Sequence, residues 1–144
     1  MRSDKWKKRF LDLASHIAEW SKDPSTKVGA VIVDDKRRIV ATGYNGFPKG
    51  VRDSEERLNN RALKHKLVVH AEANAILNAV GSLEGTVLYC THLPCSSCAK
   101  LIIQAGIQAV RVPLGSKPIP GWEDDHELST VMFYEAHVVL GNLI

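Results

Sequence analysis

His70 and Glu72 stand two residues apart, and Pro94-Cys95-Ser96-Ser97-Cys98 follows later in the chain. An imidazole and two thiolates suit zinc, and three protein ligands leave one coordination position open to water. A carboxylate beside such an ion can move protons between that water and a substrate. The pattern predicts a catalytic zinc centre with His70, Cys95 and Cys98 as ligands and Glu72 as the acid–base group. Cys95 and Cys98 are three apart, so on a helix they share a face and can pinch one ion. Two anionic sulfurs blunt the acidifying pull of zinc on water, which makes a nearby base necessary.

Two other side chains bear on that reading. Cys90 would close the shell as Cys₃His, a structural site with no open position. It ends the run Val87-Leu88-Tyr89-Cys90, where a small apolar thiol filling the core is the stronger reading. His92 reads as a pocket wall or surface residue before a ligand. His16, His65, His126 and His137 have no partner at metal-ligand spacing and read as surface or packing histidines.

These residues need elements to hold them. Trp6, Phe10, Leu13, Ile17 and Trp20 recur at helical steps, predicting a first helix with an apolar stripe, capped by Ser3 or Asp4 and ended by Asp23-Pro24. Lys27 to Asp34 is a β-branched strand, turned by Asp34-Asp35-Lys36 into a second through Arg38 to Thr42. A glycine- and charge-rich loop is expected from Gly43 to about Lys66. From His70 a buried helix runs to Gly81. Strands over residues 86–91, 107–112 and 137–140 alternate with helices over 95–104, closed by Gly106, and about 123–136. The order αββαβαβαβ predicts one α/β domain over residues 1–144: a mixed, largely parallel five-stranded sheet between helices. It places His70 and the two cysteines at helix N-termini, where partial positive charge favours thiolate.

Composition sets outer limits. The 144 residues are 44% hydrophobic and 24% charged. The longest apolar runs, such as Ala30-Val31-Ile32-Val33, are far too short to cross a bilayer. Three cysteines, two of them in the Cys-x-x-Cys pair, argue for thiols kept reduced in the cytoplasm. The net charge of +3 permits nucleic-acid binding without demanding it; a small anionic substrate accounts for it equally well.

The zinc pattern is the general signature of zinc nucleobase deaminases. With Asp23-Pro24-Ser25-Thr26-Lys27-Val28-Gly29-Ala30-Val31, Gly43-Tyr44-Asn45-Gly46-Phe47-Pro48, His70 to Ile76 and Pro94 to Gln104, the chain resembles the deoxycytidylate (dCMP) deaminases over about residues 5–140. The resemblance implies a cytidine-deaminase-like three-layer α/β/α fold. It implies zinc-dependent hydrolysis of dCMP to dUMP and ammonia, feeding thymidylate synthesis. Homo-oligomers, with a hexamer favoured, activation by dCTP and inhibition by dTTP are implied too. By the same resemblance Asn45 and Ala71 contact substrate, and Gly43, Tyr44, Asn45 and Gly46 lie where the family builds a regulatory nucleotide site. Glycines beside Tyr44 and Asn45 suit tight turning and close approach of a ligand to backbone. Ser25, Thr26 and Lys27 offer hydroxyls and an ammonium suited to a 5′-phosphate. Residues 50–69 contain no cysteine and only His65, so one zinc per subunit is expected.

Other functions share the fold and the metal. Deamination of another free cytosine nucleotide, CMP or dCTP, is the nearest alternative. A polynucleotide base deaminase needs a groove tracking several phosphates and aromatic platforms. Aromatics are only 6% of this chain, and Trp6, Phe10 and Trp20 are assigned to the helix stripe. No nucleic-acid or membrane partner is expected.

Overall fold

A computed structural model describes residues 4–143. The described residues form six helices and five strands: α1 (Asp4–Ala18), β1 (Gly29–Val33), β2 (Ile39–Tyr44), α2 (Glu55–Asn59), α3 (Arg61–Leu67), α4 (Ala71–Asn78), β3 (Val87–Cys90), α5 (Ser96–Gln104), β4 (Ala109–Pro113), α6 (Glu123–Glu135) and β5 (Val139–Leu143). Ser3, one of the two expected caps of α1, lies outside the described residues.

The strands pair in the order β2-β1-β3-β4-β5. The β1–β2 hairpin is antiparallel, as is the β1–β3 pair, with Ala30 opposite Cys90. The pairs β3–β4 and β4–β5 are parallel. The mixed five-stranded sheet is as expected, but "largely parallel" is corrected: only the β3-β4-β5 half is. The hairpin spends one edge of β1 on β2, and β3 takes its other edge in the antiparallel sense.

β1 is buried along its whole length, so its alternation sorts the helices into layers. Ala30 and Ile32 join Ala71 and Ala75 of α4, Ile102 of α5 and Phe133 of α6 in one apolar cluster. Val31 and Val33 point the other way, onto Phe10 and Ala14 of α1. The result is a three-layer α/β/α sandwich. Two glycines permit its close approaches. A Cβ at Gly29 would strike the α1 backbone at Ala14 and Ala18, and one at Gly43 would strike the α4 backbone at Ala71 and Ala75.

The helix stripe holds through Phe10 and Ile17, both buried, but α1 ends at Ala18, well short of Asp23-Pro24. Trp20 therefore sits in the turn beyond it, 54% exposed. Its ring meets Tyr44 edge-on, 6.0 Å between centroids. Assigning Trp20 to the buried stripe is thus corrected, and with it one premise against a base-stacking surface.

The expected loop from Gly43 to Lys66 is corrected as well. Residue 44 still belongs to β2, and α2 and α3 occupy 55–67. Each short helix has a side-chain cap. Ser54 Oγ accepts from the Arg57 N–H, and Asn60 Oδ1 accepts from the Leu63 N–H.

Candidate metal and catalytic site

Both segments that carry the donors end extended and then turn into helix. His70 is the N-cap residue of α4 (φ −70°, ψ 156°) and Cys95 that of α5 (φ −76°, ψ 171°). Neither side chain caps its own helix, so both are free to point at something else. Cys98 lies one turn into α5, 3% exposed. His70 Nδ1 is 3.4 Å from Cys95 Sγ and 3.3 Å from Cys98 Sγ. All three donor atoms lie within 4.8 Å of one another.

This spacing fits a zinc ion. With bonds of about 2.0 Å to nitrogen and 2.3 Å to sulfur, a tetrahedral ion sets N and S roughly 3.5 Å apart. Among the described residues no fourth His, Cys, Asp or Glu joins this donor set. Cys90, the candidate fourth ligand, is fully buried in β3 within the apolar cluster. Burial pushes its thiol well up, and the charge of Glu72 adds to the effect, so Cys90 is a neutral core filler.

The donors are strongly polarised. The hydrogen bond from Cys98, followed by that from His70, pulls the Cys95 thiol down to about 4 against the cost of burial. Cys98 is pushed up, first by its hydrogen bond to Cys95 and then by burial. His70 is raised, chiefly by its hydrogen bond to Cys95. The triad thus shares protons that a divalent cation displaces on binding.

Glu72 sits in the first turn of α4, 4% exposed. Burial pushes its carboxyl up to about 7, with partial relief from its backbone hydrogen bond and from His70. A group balanced there can both take and give a proton near neutral pH, the behaviour expected of a catalytic carboxylate.

The remaining sequence candidates lie as follows. Ala71 is buried as the first residue of α4. Asn45 is buried, and its carboxamide is engaged with backbone: Oδ1 accepts from the Val28 N–H and Nδ2 donates to the Thr26 carbonyl. Ser25 and Thr26 give their N–H groups to Asp23 Oδ1, leaving the Ser25 and Lys27 side chains at the surface. Gly43 and Tyr44 close β2, and the close approach at Gly43 is made by the α4 backbone. Tyr44 is 41% exposed, and Gly46 bridges to Val69. His92 is half-buried with Nδ1 2.8 Å from Thr91 Oγ1, and lies outside the donor set. His16, His65 and His137 are exposed, whereas His126 is a core residue.

Sequence reasoning missed two sets of partners. Lys64 of α3 reaches Asp23 with both side chains buried. Asp125 and His126, in the first turn of α6, contact Ser96 and Pro94 on either side of Cys95. No local signal marks either, because each pair is distant in sequence.

Residues 4–114 match the family model described as the cytidine and deoxycytidylate deaminase zinc-binding region, and the chain belongs to that family. An uncharacterized deaminase from the luxG 3′ region of Aliivibrio fischeri is 45% identical over 135 residues, 93% of this chain and 90% of that protein. A probable deoxycytidylate deaminase of Drosophila melanogaster is 50% identical over 116 residues. That alignment takes in 73% of this chain and 57% of the fly protein, so the chain spans little more than half the fly protein's length. The dCMP deaminase of cyanophage S-TIM5, solved in complex with dCMP and dUMP, superposes with a TM-score of 0.78 over 99% of both chains at 28% identity.

Proposed function

We propose that this protein is a zinc-dependent hydrolase that converts dCMP and water to dUMP and ammonia. One observation carries the reading: the donor atoms of His70, Cys95 and Cys98 converge closely enough to share a zinc ion, and the buried carboxylate of Glu72 stands two residues from His70. The cyanophage relative, solved with dCMP and dUMP, supports the choice of substrate. Supplying the thymidylate pathway is the corresponding role.

His70, Cys95 and Cys98 would hold one zinc per subunit. Bound there, zinc would supply Lewis acidity, lowering the pKa of a coordinated water toward neutrality. Glu72 takes a proton from the attacking water and delivers it to the ring nitrogen beside the amino-bearing carbon. The hydroxide oxygen bonds to that carbon. Glu72 then moves the proton of this new hydroxyl to the amino group, and the C–N bond breaks. Ammonia leaves, and the oxygen stays on the ring as the carbonyl of dUMP. Burial of Glu72, 4% exposed, shields those transfers from bulk water.

Asn45 and Ala71 are placed in this reading against the nucleoside, and Ser25, Thr26 and Lys27 against the 5′-phosphate. The Asp23 turn, which fixes the backbone at Ser25 and Thr26, is consistent with a preformed cradle. Gly43, Tyr44, Asn45 and Gly46 are assigned to an effector site for dCTP as activator and dTTP as inhibitor, in a homohexamer. The free cysteines fit a reducing cytoplasm, and no helix of the described residues is long and apolar enough to cross a membrane.

Ammonia release from dCMP, CMP, deoxycytidine and dCTP, measured in parallel with and without dCTP or dTTP as effector, tests the whole reading. The expected order puts dCMP first. Preference for deoxycytidine overturns the phosphate contacts, and preference for CMP or dCTP overturns the substrate.

A further inference from the structure

A helix beyond the family's matched region holds the metal loop. α5 begins without a side-chain cap of its own, because the residue in the capping position, Cys95, turns its sulfur to His70 and Cys98. The first N–H groups of a helix need an acceptor. Here it comes from α6. Asp125 Oδ2 accepts from the Ser96 N–H at 2.9 Å, and Asp125 Oδ1 accepts from the Ser96 hydroxyl at 2.6 Å. The next residue grips the other side: His126 Nδ1 lies 3.1 Å from the Pro94 carbonyl. A carbonyl only accepts, so Nδ1 carries the hydrogen and His126 donates. Pro94 and His126 are both buried. Cys95 is therefore fixed between two clamped neighbours, both held from the first turn of one helix.

We infer that Asp125 and His126 are positioning residues for the metal centre, setting where Cys95 Sγ sits relative to His70 and Cys98. The inference rests on the reading of those three residues as ligands. Neither residue touches the donors directly. They act on the backbone that carries Cys95, and α6 lies wholly outside residues 4–114, where the family model ends. The ion's affinity then depends on a helix that contributes no ligand. Loss of partners that orient ligands typically lowers metal affinity or activity by ~10–100-fold.

The test uses the 144-residue chain loaded with zinc, and separately with cobalt(II) as a spectroscopic reporter. Zinc affinity is measured by chelator competition, and the cobalt form by its visible and sulfur-to-metal absorption. Asp125→Ala and His126→Phe should each weaken zinc affinity by ~10–100-fold and shift the cobalt spectrum. Asp125→Asn keeps one acceptor oxygen and should recover part of the loss. A merely structural role lowers the melting temperature but leaves affinity per folded protein and the cobalt spectrum unchanged; that result overturns the inference. If Asp125→Ala fails to fold, Ser96→Ala decides. It deletes the hydroxyl bond alone, and wild-type affinity and spectrum in that variant and in Asp125→Asn count against the clamp. Failure of the wild-type protein to bind either metal defeats the ligand assignment itself, a result distinct from variants that match a tightly binding wild type.

Discussion

Lys64 Nζ lies 3.1 Å from Asp23 Oδ1, joining α3 to the turn before β1, with the two side chains only 8% and 10% exposed. The same Asp23 oxygen accepts the N–H groups of Ser25 and Thr26. One carboxylate thus organises the segment proposed for phosphate, and one buried cation balances it. Removing a single partner of a buried pair leaves the other charge uncompensated, at about 3–5 kcal/mol. Lys64→Met should therefore lose about that much stability by urea unfolding. A change of a few tenths would show that water reaches Asp23.

The same pair gives the protein an acid-sensitive element. Burial raises the Asp23 pKa, but the Thr26 and Ser25 N–H groups and Lys64 together outweigh it, leaving the folded value below 3.8. For a depressed carboxyl, the folded state binds fewer protons than the unfolded one. Its stabilisation is complete above the unfolded value and disappears as pH falls through the folded value. The stability gap between wild type and Asp23→Asn should thus be constant from pH 7 to about 5 and shrink steadily below about pH 4. A gap that does not change in acid would remove Asp23 from the account.

Glu72 differs because, in the proposed reaction, its burial serves proton transfer. Glu72→Gln keeps the volume and hydrogen-bonding shape but cannot accept and return a proton. Turnover of dCMP should fall at least ~10²–10⁴-fold, while zinc content by elemental analysis stays near one per chain. Near-full activity with zinc bound would exclude Glu72 as the shuttle.

The two classes of cysteine should separate cleanly. Cys98→Ala removes a donor from the triad, and should abolish both stoichiometric zinc and activity. Cys90→Ala removes only a small core group and should retain both. Zinc loss in the second variant would place Cys90 in the shell after all.

The legibility of this protein follows from range. His70, Glu72, Cys95 and Cys98 could be proposed directly because each half of the site is a short motif at a helix start, and the structure brings the donor atoms of His70, Cys95 and Cys98 within 4.8 Å of one another. Helix α1 was visible in its apolar spacing and β1 in its β-branched run, which is buried on both faces. The other strands and α4, α5 and α6 were placed by the apolar segments and the glycine- and proline-marked turns between them. Helices α2 and α3 were not: they are short and charged, and their only signals were the caps Ser54 and Asn60. Trp20 was misplaced because its spacing continued the α1 stripe for one step after the backbone had already turned. The clamp of Asp125 on Ser96 spans 29 residues, and no local pattern records it.

Gly43 gives the sharpest test of how packing supports chemistry. Its Cα faces α4, and an added Cβ would collide with backbone atoms of Ala71 and Ala75, which cannot swing aside as a side chain would. α4 also carries His70 at its N-cap and Glu72 in its first turn. Gly43→Ala must therefore push α4 off the sheet, costing about 1–3 kcal/mol for overpacking. The same movement displaces His70 and Glu72 relative to Cys95 and Cys98, whose helix is held separately by α6. Turnover of dCMP per zinc-loaded, folded molecule should consequently drop well below wild type, at a temperature where both proteins are fully folded. If stability falls while turnover per folded molecule is preserved, the spacing between α4 and α5 tolerates more movement than the donor distances suggest.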